Sequence, residues 1–255
     1  MSKVPSAWQR LAALVRQFPQ TSANCVRFRV FFLLPRWFRM PSGIRLANRH
    51  IALQFPKEDG VDADFITCFL RNTYGLGQQL GVVRTILDIG ANAGFFTLAA
   101  RAHYPEAVIH AYEPNPRILP CLHANTAGLS IAVYPEAVSN LEGFVTMIQD
   151  GPSNAARTRL SDRSADGIRQ ISLRTAIERM GGRVDLLKLD CEGAEWEILR
   201  IRDDWEAVRH IRMEYHEYEG ATLDKAVQLL KARGFRVIRT GSLNEVGGTL
   251  WATRA

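Results

Sequence analysis

From residue 84 onward, short apolar runs alternate with segments of helical periodicity, and this alternation constrains the fold more than any other feature. The runs Thr85–Ile89, Ala107–Tyr112 and Val184–Leu189 have the length and branched residues of buried strands. Helical segments follow at Phe95–His103 and Ala194–Ile201. Strands that alternate with helices predict βαβ units, whose right-handed crossovers build a doubly wound, mostly parallel sheet covered on both faces. The sequence therefore predicts an α/β protein.

The same criteria predict the remaining elements. Further strands are expected at Arg45–Gln54, Ser130–Pro135, Phe144–Gln149, His210–Tyr215, Phe235–Arg239 and Thr249–Ala252. Further helices are expected at Ser6–Phe18, Asp62–Asn72, Ser172–Met180 and around Leu223–Leu230, and one is expected to begin near Asn115 and Pro116. The last two strands form an antiparallel pair at the C-terminal edge of the sheet.

The N-terminal residues differ in charge from the rest of the chain. Nine of the 32 basic side chains and none of the 26 acidic ones lie in residues 1–50, which therefore carry +9 while the remainder carries −3. We predict a mainly helical basic extension over residues 1–80 and a second domain over residues 81–255. Two interpretations of the extension stay open: its aromatic residues cover the main domain as a lid, or it contacts an anionic membrane peripherally.

A glycine loop follows the first strand of the alternating region, where open parallel sheets bind ligands. In the stretch Asp88–Phe95, Gly90 permits a tight turn, Asn92 takes the place of a dinucleotide-type glycine, and Gly94 stands at a helix start. Free N–H groups at that helix start favour an anion. A carboxylate at Asp88, two residues before the first glycine, fits a ligand with a cationic amine better than a pyrophosphate.

Glu113 ends the next strand, beside this loop. A carboxylate there accepts hydrogen bonds from both hydroxyls of a ribose. The loop and Glu113 together predict a nucleoside ligand that carries an amine and a carboxylate but no phosphate.

Three stretches resemble the FkbM family of class I S-adenosylmethionine-dependent methyltransferases. They are LDIGANAGFFT at residues 87–97, YEPNP at 112–116 and DLLKLDCEGAEWEIL at 185–199. A Gly-rich segment of the family corresponds loosely to residues 151–154. The resemblance implies a Rossmann-like, mostly parallel seven-stranded sheet with a C-terminal antiparallel pair, and S-adenosyl-L-methionine as cofactor.

The resemblance also implies which residues surround the cofactor. The methionine part is expected to lie against the glycine loop, at Asp88, Gly90, Ala91, Asn92, Gly94 and Phe95. The ribose is expected at Glu113, and the sulfonium near Asp190. The adenosine is expected beside Pro114, Asn115, Ala137 and Val138.

A second set of ionisable residues follows two other strands of the predicted sheet. Asp190 ends one strand, and Glu214 and His216 end the next. Because parallel strands end at one edge of a sheet, these groups should converge on the cofactor pocket, where methyl transfer to a hydroxyl benefits from a general base. We predict His216 as the base, with Glu214 and Asp190 as the other catalytic candidates.

These residues also offer oxygen and nitrogen ligands to Mg²⁺. Glu192 would add a further oxygen ligand. Asp190 is followed by Cys191, however, and not by the asparagine of catechol-type metal-dependent enzymes, so Mg²⁺ stays open as a disfavoured cofactor and no metal ligands are predicted. The chain has no N-P-P-Y motif of amino methylation on nucleic acids, and no nucleic-acid partner is expected. The predicted function is O-methylation of a sugar in an oligosaccharide or glycolipid, or of a secondary metabolite.

Two alternatives remain at this point. One is a nicotinamide-dependent oxidoreductase, which the glycine loop and the antiparallel pair disfavour. The other is a catalytically silent protein that keeps the cofactor fold and binds a partner. Four separated cysteines, no signal-peptide pattern and no long apolar run predict a cytoplasmic protein, with the inner face of the membrane as a peripheral location.

Overall fold

The computed structural model describes residues 7–32, 34–46, 48–148, 157–161, 167–201, 204–218, 220–242 and 247–254. For residues 7–17 only the course of the backbone is described. Residues 151–154, compared above with a Gly-rich segment, lie outside the described residues.

A seven-stranded sheet forms the centre of the molecule. Its strands are β3 (Thr85–Ile89), β4 (Val108–Tyr112), β5 (Ile131–Tyr134), β10 (Val184–Leu189), β11 (Val208–His216), β12 (Phe235–Ser242) and β13 (Gly247–Arg254). They lie in the order β12-β13-β11-β10-β3-β4-β5, and β13 alone among them runs antiparallel to its neighbours. The predicted doubly wound sheet with a C-terminal antiparallel pair is therefore confirmed.

The strand order reverses between β3 and β10. From β3 the sheet grows through β4 and β5 on one side, and through β10 and β11 on the other. Parallel α/β sheets bind ligands in the crevice at such a switch point, beyond the carboxyl ends of the strands. The glycine loop after β3 and Asp190 after β10 both lie there.

Helices pack around this sheet. They are α1 (Ala7–Phe28), α2 (Val61–Phe65), α3 (Phe95–His103), α4 (Leu119–Thr126), α5 (Leu173–Arg179), α6 (Glu195–Arg200) and α7 (Leu223–Lys231). α2 continues directly into a π-helical segment, Ile66–Leu70. α5 and α7 begin as their sequences predict, because the side chains of Ser172 and Thr222 accept hydrogen bonds from the first-turn amides.

Two further strand groups stand outside the central sheet. A four-stranded sheet, in the order β6-β9-β7-β8, contains β6 (Ala137–Ser139), β7 (Gly143–Ile148), β8 (Arg157–Ser161) and β9 (Ile168–Ser172). The strand expected at Phe144–Gln149 forms, but as β7 it belongs to this small sheet. The single strand expected at Arg45–Gln54 is instead an antiparallel hairpin of β1 (Gly43–Leu46) and β2 (Arg49–Ala52).

One helix end and one helix start also differ from the expectation. α1 runs ten residues beyond Phe18, and its far end is fixed to the molecule because Asn24 Nδ2 donates to the carbonyl of Leu70 at 3.1 Å. The helix expected near Asn115 begins at Leu119, since the Asn115 side chain accepts from the Arg117 amide and stabilises a turn first.

The N-terminal residues share a hydrophobic core with the central sheet. Phe28 lies 4.9 Å from Phe69, and Phe38 stacks on Phe65 at 5.7 Å, measured between ring centroids. Both pairs belong to the buried cluster that contains Ile86 of β3. The predicted boundary between residues 80 and 81 thus lies inside one continuous apolar cluster. Within the described residues no helix is both long enough and apolar enough to cross a membrane.

Candidate functional site

The loop after β3 is held in a conformation that its glycines permit. Gly90 and Gly94 have φ angles of +79° and +86°, and a Cβ on Gly90 would stand 1.7 Å from the backbone oxygen of Asp190. The amides of Gly90 and Ala91 both donate to the carbonyl of Tyr112, at 3.0 and 2.9 Å. The loop is therefore fixed between the ends of β4 and β10, and α3 starts directly after it.

A cavity of about 360 Å³ opens at this edge of the sheet, within the range of small-molecule sites, about 300–1,000 Å³. Most of the predicted site residues line it: Gly90, Ala91, Asn92, Phe95, Glu113, Pro114, Asn115, Ala137, Val138, Asp190 and Glu214. Asp88, Gly94 and His216 are not on its wall. The topology thus collects these residues from five separate stretches of the chain around one cavity.

Glu113 lies at the cavity wall with its carboxylate fixed from both sides. The Asn92 amide donates to Oε2 and the Asn115 amide to Oε1, each at 2.8 Å. Burial raises the pKa of Glu113 to about 7, although these two hydrogen bonds and the charge of Lys188 act in the opposite direction. Each oxygen keeps a second lone pair, which can accept a hydrogen bond from a ligand hydroxyl.

Asn115 offers a donor at the same end of the cavity. Its side chain is 1% exposed, and Nδ2 has no hydrogen-bond partner among the described residues. A buried amide without a partner costs free energy unless a ligand satisfies it. Glu113 and Asn115 together therefore match a ligand that presents hydroxyls and a hydrogen-bond acceptor, as an adenosine does.

Asp88 has a different environment from the one expected for a residue that binds a ligand amine. It is fully buried, accepts a short hydrogen bond from the Thr97 hydroxyl, and lies 3.2 Å from Nζ of Lys188. A cation of the protein itself already neutralises this carboxylate. Asp88 therefore supports the glycine loop from behind, through Lys188, which also donates to the carbonyl of Gly90.

Lys188 belongs to the third motif, at residues 185–199, but the sequence alone does not indicate its role. Burial alone would lower its pKa, but the carboxylates of Asp88 and Asp190 outweigh burial and raise it above the ordinary value. Its Nζ lies 3.4 Å from Oδ2 of Asp190, which does line the cavity. Lys188 consequently links the buried Asp88 of β3 to the half-buried Asp190 that follows β10.

Asp190 and Glu214 are joined by a tyrosine that sequence reasoning missed. The hydroxyl of Tyr74 donates to Oδ2 of Asp190 at 2.9 Å and reaches Oε2 of Glu214 at 3.4 Å. Burial, followed by the two carboxylates, raises the pKa of Tyr74 well above its usual value, so the phenol remains a donor. Burial and the neighbouring Asp190 raise the pKa of Glu214 to about 8, against a smaller opposite effect of His216.

His216 lies behind Glu214, within a group of carboxylates. Its Nδ1 is 3.2 Å from Oε1 of Glu195, and its Nε2 is 3.5 Å from Glu192 and 3.9 Å from Glu214. The hydrogen bond with Glu195 raises the pKa of His216 to about 9, against burial and together with the other carboxylates. At neutral pH the imidazole is therefore protonated and has no lone pair with which to accept a proton.

Two segments that the sequence did not connect with the site complete the wall. The region of α2 and the π-helical segment contributes Ala63, Asp64, Thr67, Cys68, Arg71 and Tyr74, and the small sheet contributes Met147 and Thr158. Neither segment carries a recognisable motif. The sequence predicts a helix over Asp62–Asn72, but its periodicity does not indicate which of its polar residues face the cavity.

No group of three or more histidine, cysteine, aspartate or glutamate side chains among the described residues is arranged to hold a metal ion. The carboxylates near Asp190 are instead paired with Lys188, Tyr74 and His216.

The sequence of this chain matches a known protein family. The methyltransferase FkbM domain model matches residues 88–237. The chain is 29% identical over 208 residues to the 31-O-demethyl-FK506 methyltransferase FkbM of Streptomyces tacrolimicus, covering 67% of this chain and 78% of that protein. It is also 29% identical over 205 residues to methyltransferase sdnD of Sordaria araneosa, covering 60% and 74%.

Among solved structures, a precorrin-6y C5,15-methyltransferase from Geobacter metallireducens GS-15 aligns with a TM-score of 0.46 at 16% identity. The alignment covers 80% of this chain and 93% of that one.

Proposed function

The chain belongs to the FkbM methyltransferase family and is an S-adenosylmethionine-dependent methyltransferase; from this premise we propose that it methylates a hydroxyl oxygen of a small-molecule acceptor. The relative from Streptomyces tacrolimicus is named for a 31-O-demethyl substrate. The acceptor classes that we propose are a secondary metabolite and a sugar of an oligosaccharide or glycolipid. The observation that carries the proposal is the pair Asp190 and Glu214, two carboxylates on the cavity wall bridged by Tyr74.

The residues at the glycine-loop end of the cavity fit the cofactor. We propose that Glu113 accepts hydrogen bonds from the ribose hydroxyls, that the free Nδ2 of Asn115 donates to the adenosine, and that Ala137 and Val138 pack on the adenine. When bound, S-adenosylmethionine supplies an electrophilic methyl group on its sulfonium. Glu113 follows β4 and Asp190 follows β10, two strands away across β3. The separation of roughly 10 Å leaves room between them for the ribose and the adjoining sulfonium.

Glu214 is the general base in this proposal. It lies on the cavity wall, and its raised pKa of about 8 is close to physiological pH, which is where proton transfer is efficient. Tyr74 fixes the orientation of its carboxylate relative to Asp190. Glu214 would accept the proton of the acceptor hydroxyl while the methyl carbon exchanges its bond to the cofactor sulfur for a bond to the hydroxyl oxygen, which would leave S-adenosylhomocysteine.

His216, the base expected from the sequence, takes a positioning role instead. Its protonated ring is held by Glu195 and stands 3.9 Å from Glu214, so it favours the ionised form of that carboxylate. Gly90, Ala91, Asn92, Gly94, Phe95 and Pro114 shape the cofactor end, and Asp88 acts on it through Lys188.

Incubation with methyl-labelled S-adenosylmethionine and a panel of O-demethyl macrolides, polyketide alcohols and sugars tests the reaction. We expect label in a product whose new methyl group is bonded to oxygen, identified by its carbon shift in NMR. Label bonded to nitrogen or carbon would refute O-methylation. Cofactor binding without transfer to any acceptor would favour the catalytically silent alternative. Addition of EDTA to the same assay tests the metal: activity lost and restored by Mg²⁺ would establish metal dependence.

The identity of the base is tested on the best acceptor of that panel. Glu214→Gln should lower kcat by about 10²–10⁴-fold while cofactor affinity stays near wild type, and Glu178→Gln, at an exposed position of α5, should leave kcat unchanged. In the wild type, kcat/KM should rise with pH to a plateau above about 8.

His216→Gln separates the two candidate bases. As a positioning residue, its loss should move the pH profile to higher pH, because Glu214 loses the cation that favours its ionised form. A loss of turnover as large as that of Glu214→Gln, with no remaining pH-dependent rise, would instead make His216 the base.

A further inference from the structure

Two cationic side chains among the described residues line the cavity, and only one of them is neutralised. Lys188 is paired with Asp88 and Asp190. Arg71 lines the same cavity, yet no described carboxylate lies within ion-pair distance of its guanidinium. Burial without a compensating charge lowers the pKa of Arg71. A half-buried guanidinium without an ion-pair partner on a cavity wall costs free energy unless a ligand anion pairs with it.

The backbone around Arg71 is fixed on both sides. The preceding carbonyl, of Leu70, accepts from the side chain of Asn24 at 3.1 Å. The following residue, Asn72, closes a turn in which its side chain donates to the carbonyl of Leu76 and accepts from the Leu76 amide, at 2.9 and 2.8 Å. The base of the arginine is therefore preorganised, which lowers the entropic cost of binding an anion.

The segment that carries Arg71 packs on the glycine-loop end of the cavity. Phe65 and Phe69 contact Phe95, the first residue of α3, with ring centroids 5.5 and 6.4 Å apart. Tyr74 contacts the next residue, Phe96, at 5.1 Å. Arg71 lies between Phe69 and Tyr74 in the chain, and it lines the same cavity as Gly90, Ala91 and Asn92 of the loop.

The loop amides themselves are already engaged. Gly90 and Ala91 donate to the carbonyl of Tyr112, Asn92 donates to Glu113, and Gly94 donates to the carbonyl of Ala91. None of these four amides is therefore free to bind an anion. A cationic side chain on the cavity wall can supply donors that these amides do not, and Arg71 lines that wall.

We propose that Arg71 binds the α-carboxylate of the methionyl part of the cofactor through a two-pronged, charge-assisted hydrogen bond. The guanidinium presents parallel N–H donors that match the geometry of a carboxylate. The inference rests on the family's cofactor and not on the acceptor proposed above. Arg71 stands before residue 88, where the family model begins.

Binding calorimetry with two ligands tests this role without an acceptor. S-Adenosylhomocysteine carries the amino-acid carboxylate, whereas 5′-methylthioadenosine keeps the nucleoside and sulfur but lacks it. Arg71→Met should weaken S-adenosylhomocysteine binding by about 10- to 100-fold. It should change 5′-methylthioadenosine binding by no more than about 2-fold. Arg71→Lys, which keeps the charge but not the two-pronged geometry, should lie between wild type and Arg71→Met for the first ligand.

Arg236→Met is the matched control, because it removes the same charge from an exposed position on the edge strand β12. It should leave both affinities unchanged. Equal weakening of both ligands by Arg71→Met, or no weakening of either, would overturn the proposal; the latter result would assign Arg71 to an anionic group of the acceptor. Failure of the wild type to bind S-adenosylhomocysteine would contradict the cofactor assignment itself, which is a separate outcome.

Discussion

Removal of the Glu113 carboxylate provides the sharpest prediction about cofactor binding. Glu113 is 7% exposed, and each of its oxygens accepts one backbone amide at 2.8 Å. In the proposed complex the remaining lone pairs would accept hydrogen bonds from the two ribose hydroxyls. Hydrogen bonds to a charged acceptor contribute about 1.5–3 kcal/mol each, but the ribose hydroxyls recover part of this from water. We therefore expect Glu113→Ala to cost about 2–3 kcal/mol, or roughly 30- to 150-fold in Kd.

The pH dependence of the same equilibrium gives an independent check. The pKa of Glu113 is about 7 in the free protein, and two ribose donors favour its ionised form. Binding must therefore release a proton below pH 7, so affinity falls as the pH falls, by up to tenfold per unit. At pH 5 the wild type should bind S-adenosylhomocysteine up to about 100-fold more weakly than at pH 8.

Isothermal titration of wild type, Glu113→Ala and Glu113→Gln between pH 5 and 8 measures both effects. Glu113→Gln does not titrate, so it should lose most of the pH dependence. It should also bind weakly at pH 8, since its amide N–H₂ would face a backbone N–H donor. Wild-type affinity in Glu113→Ala at pH 8, or an unchanged pH dependence in Glu113→Gln, would remove Glu113 from the ribose site.

Two further predictions concern the loop and the N-terminal extension. Gly90→Ala should lower the free energy of unfolding by about 3 kcal/mol or more, because its Cβ would meet the Asp190 carbonyl. Gly182→Ala is the control, since Gly182 has the same φ of +79° but lies in open space. It should lower the free energy of unfolding, measured by thermal unfolding, by only about 1–2 kcal/mol. We also propose that the basic extension contacts anionic membranes. The protein should then co-sediment with anionic and not with neutral vesicles. Substitution of the exposed Arg29 and Arg39 by glutamine should weaken the binding to anionic vesicles by about 1 kcal/mol each. Sedimentation with neither vesicle, or equally with both, would contradict that contact.

The extension combines features of both interpretations that the sequence left open. Phe28 and Phe38 are buried against the main domain, whereas Phe18, Phe31 and Trp37 are more than half exposed. Charge and aromatic content alone do not separate these two groups, because burial depends on which face of α1 and of the following segment meets the core. Truncation of residues 1–40 would remove core side chains, so the substitutions above are the better test.

The central sheet was predictable because its strands are short, apolar and separated by helices. The bounds of β3, α3 and β10 agree with the sequence-based ones residue for residue, since each is enclosed by a charged residue, a glycine or a change of periodicity. The small sheet was not predictable in this way. Its strands pair over long separations, β6 with β9 for example, and such pairing leaves no local pattern in the sequence.

The candidate site was predictable where a motif follows a strand. Glu113, Asp190 and Glu214 line the cavity because parallel strands end at one edge of a sheet. Tyr74 and Arg71 could not be predicted as site residues from the sequence, because their segment reaches the cavity only through tertiary packing on α3. The ion pair of Asp88 could not be predicted for a related reason: its partner Lys188 lies 100 residues away in the chain, on the neighbouring strand β10.

A crystal structure of the complex with S-adenosylhomocysteine tests the central claim, that the cavity at the switch point is the cofactor site, most directly. We expect the ribose hydroxyls within hydrogen-bond distance of Glu113, the adenine beside Val138, the sulfur near Asp190 and the carboxylate on Arg71. Electron density for the ligand outside this cavity, or within it but without contact to Glu113, would contradict the account.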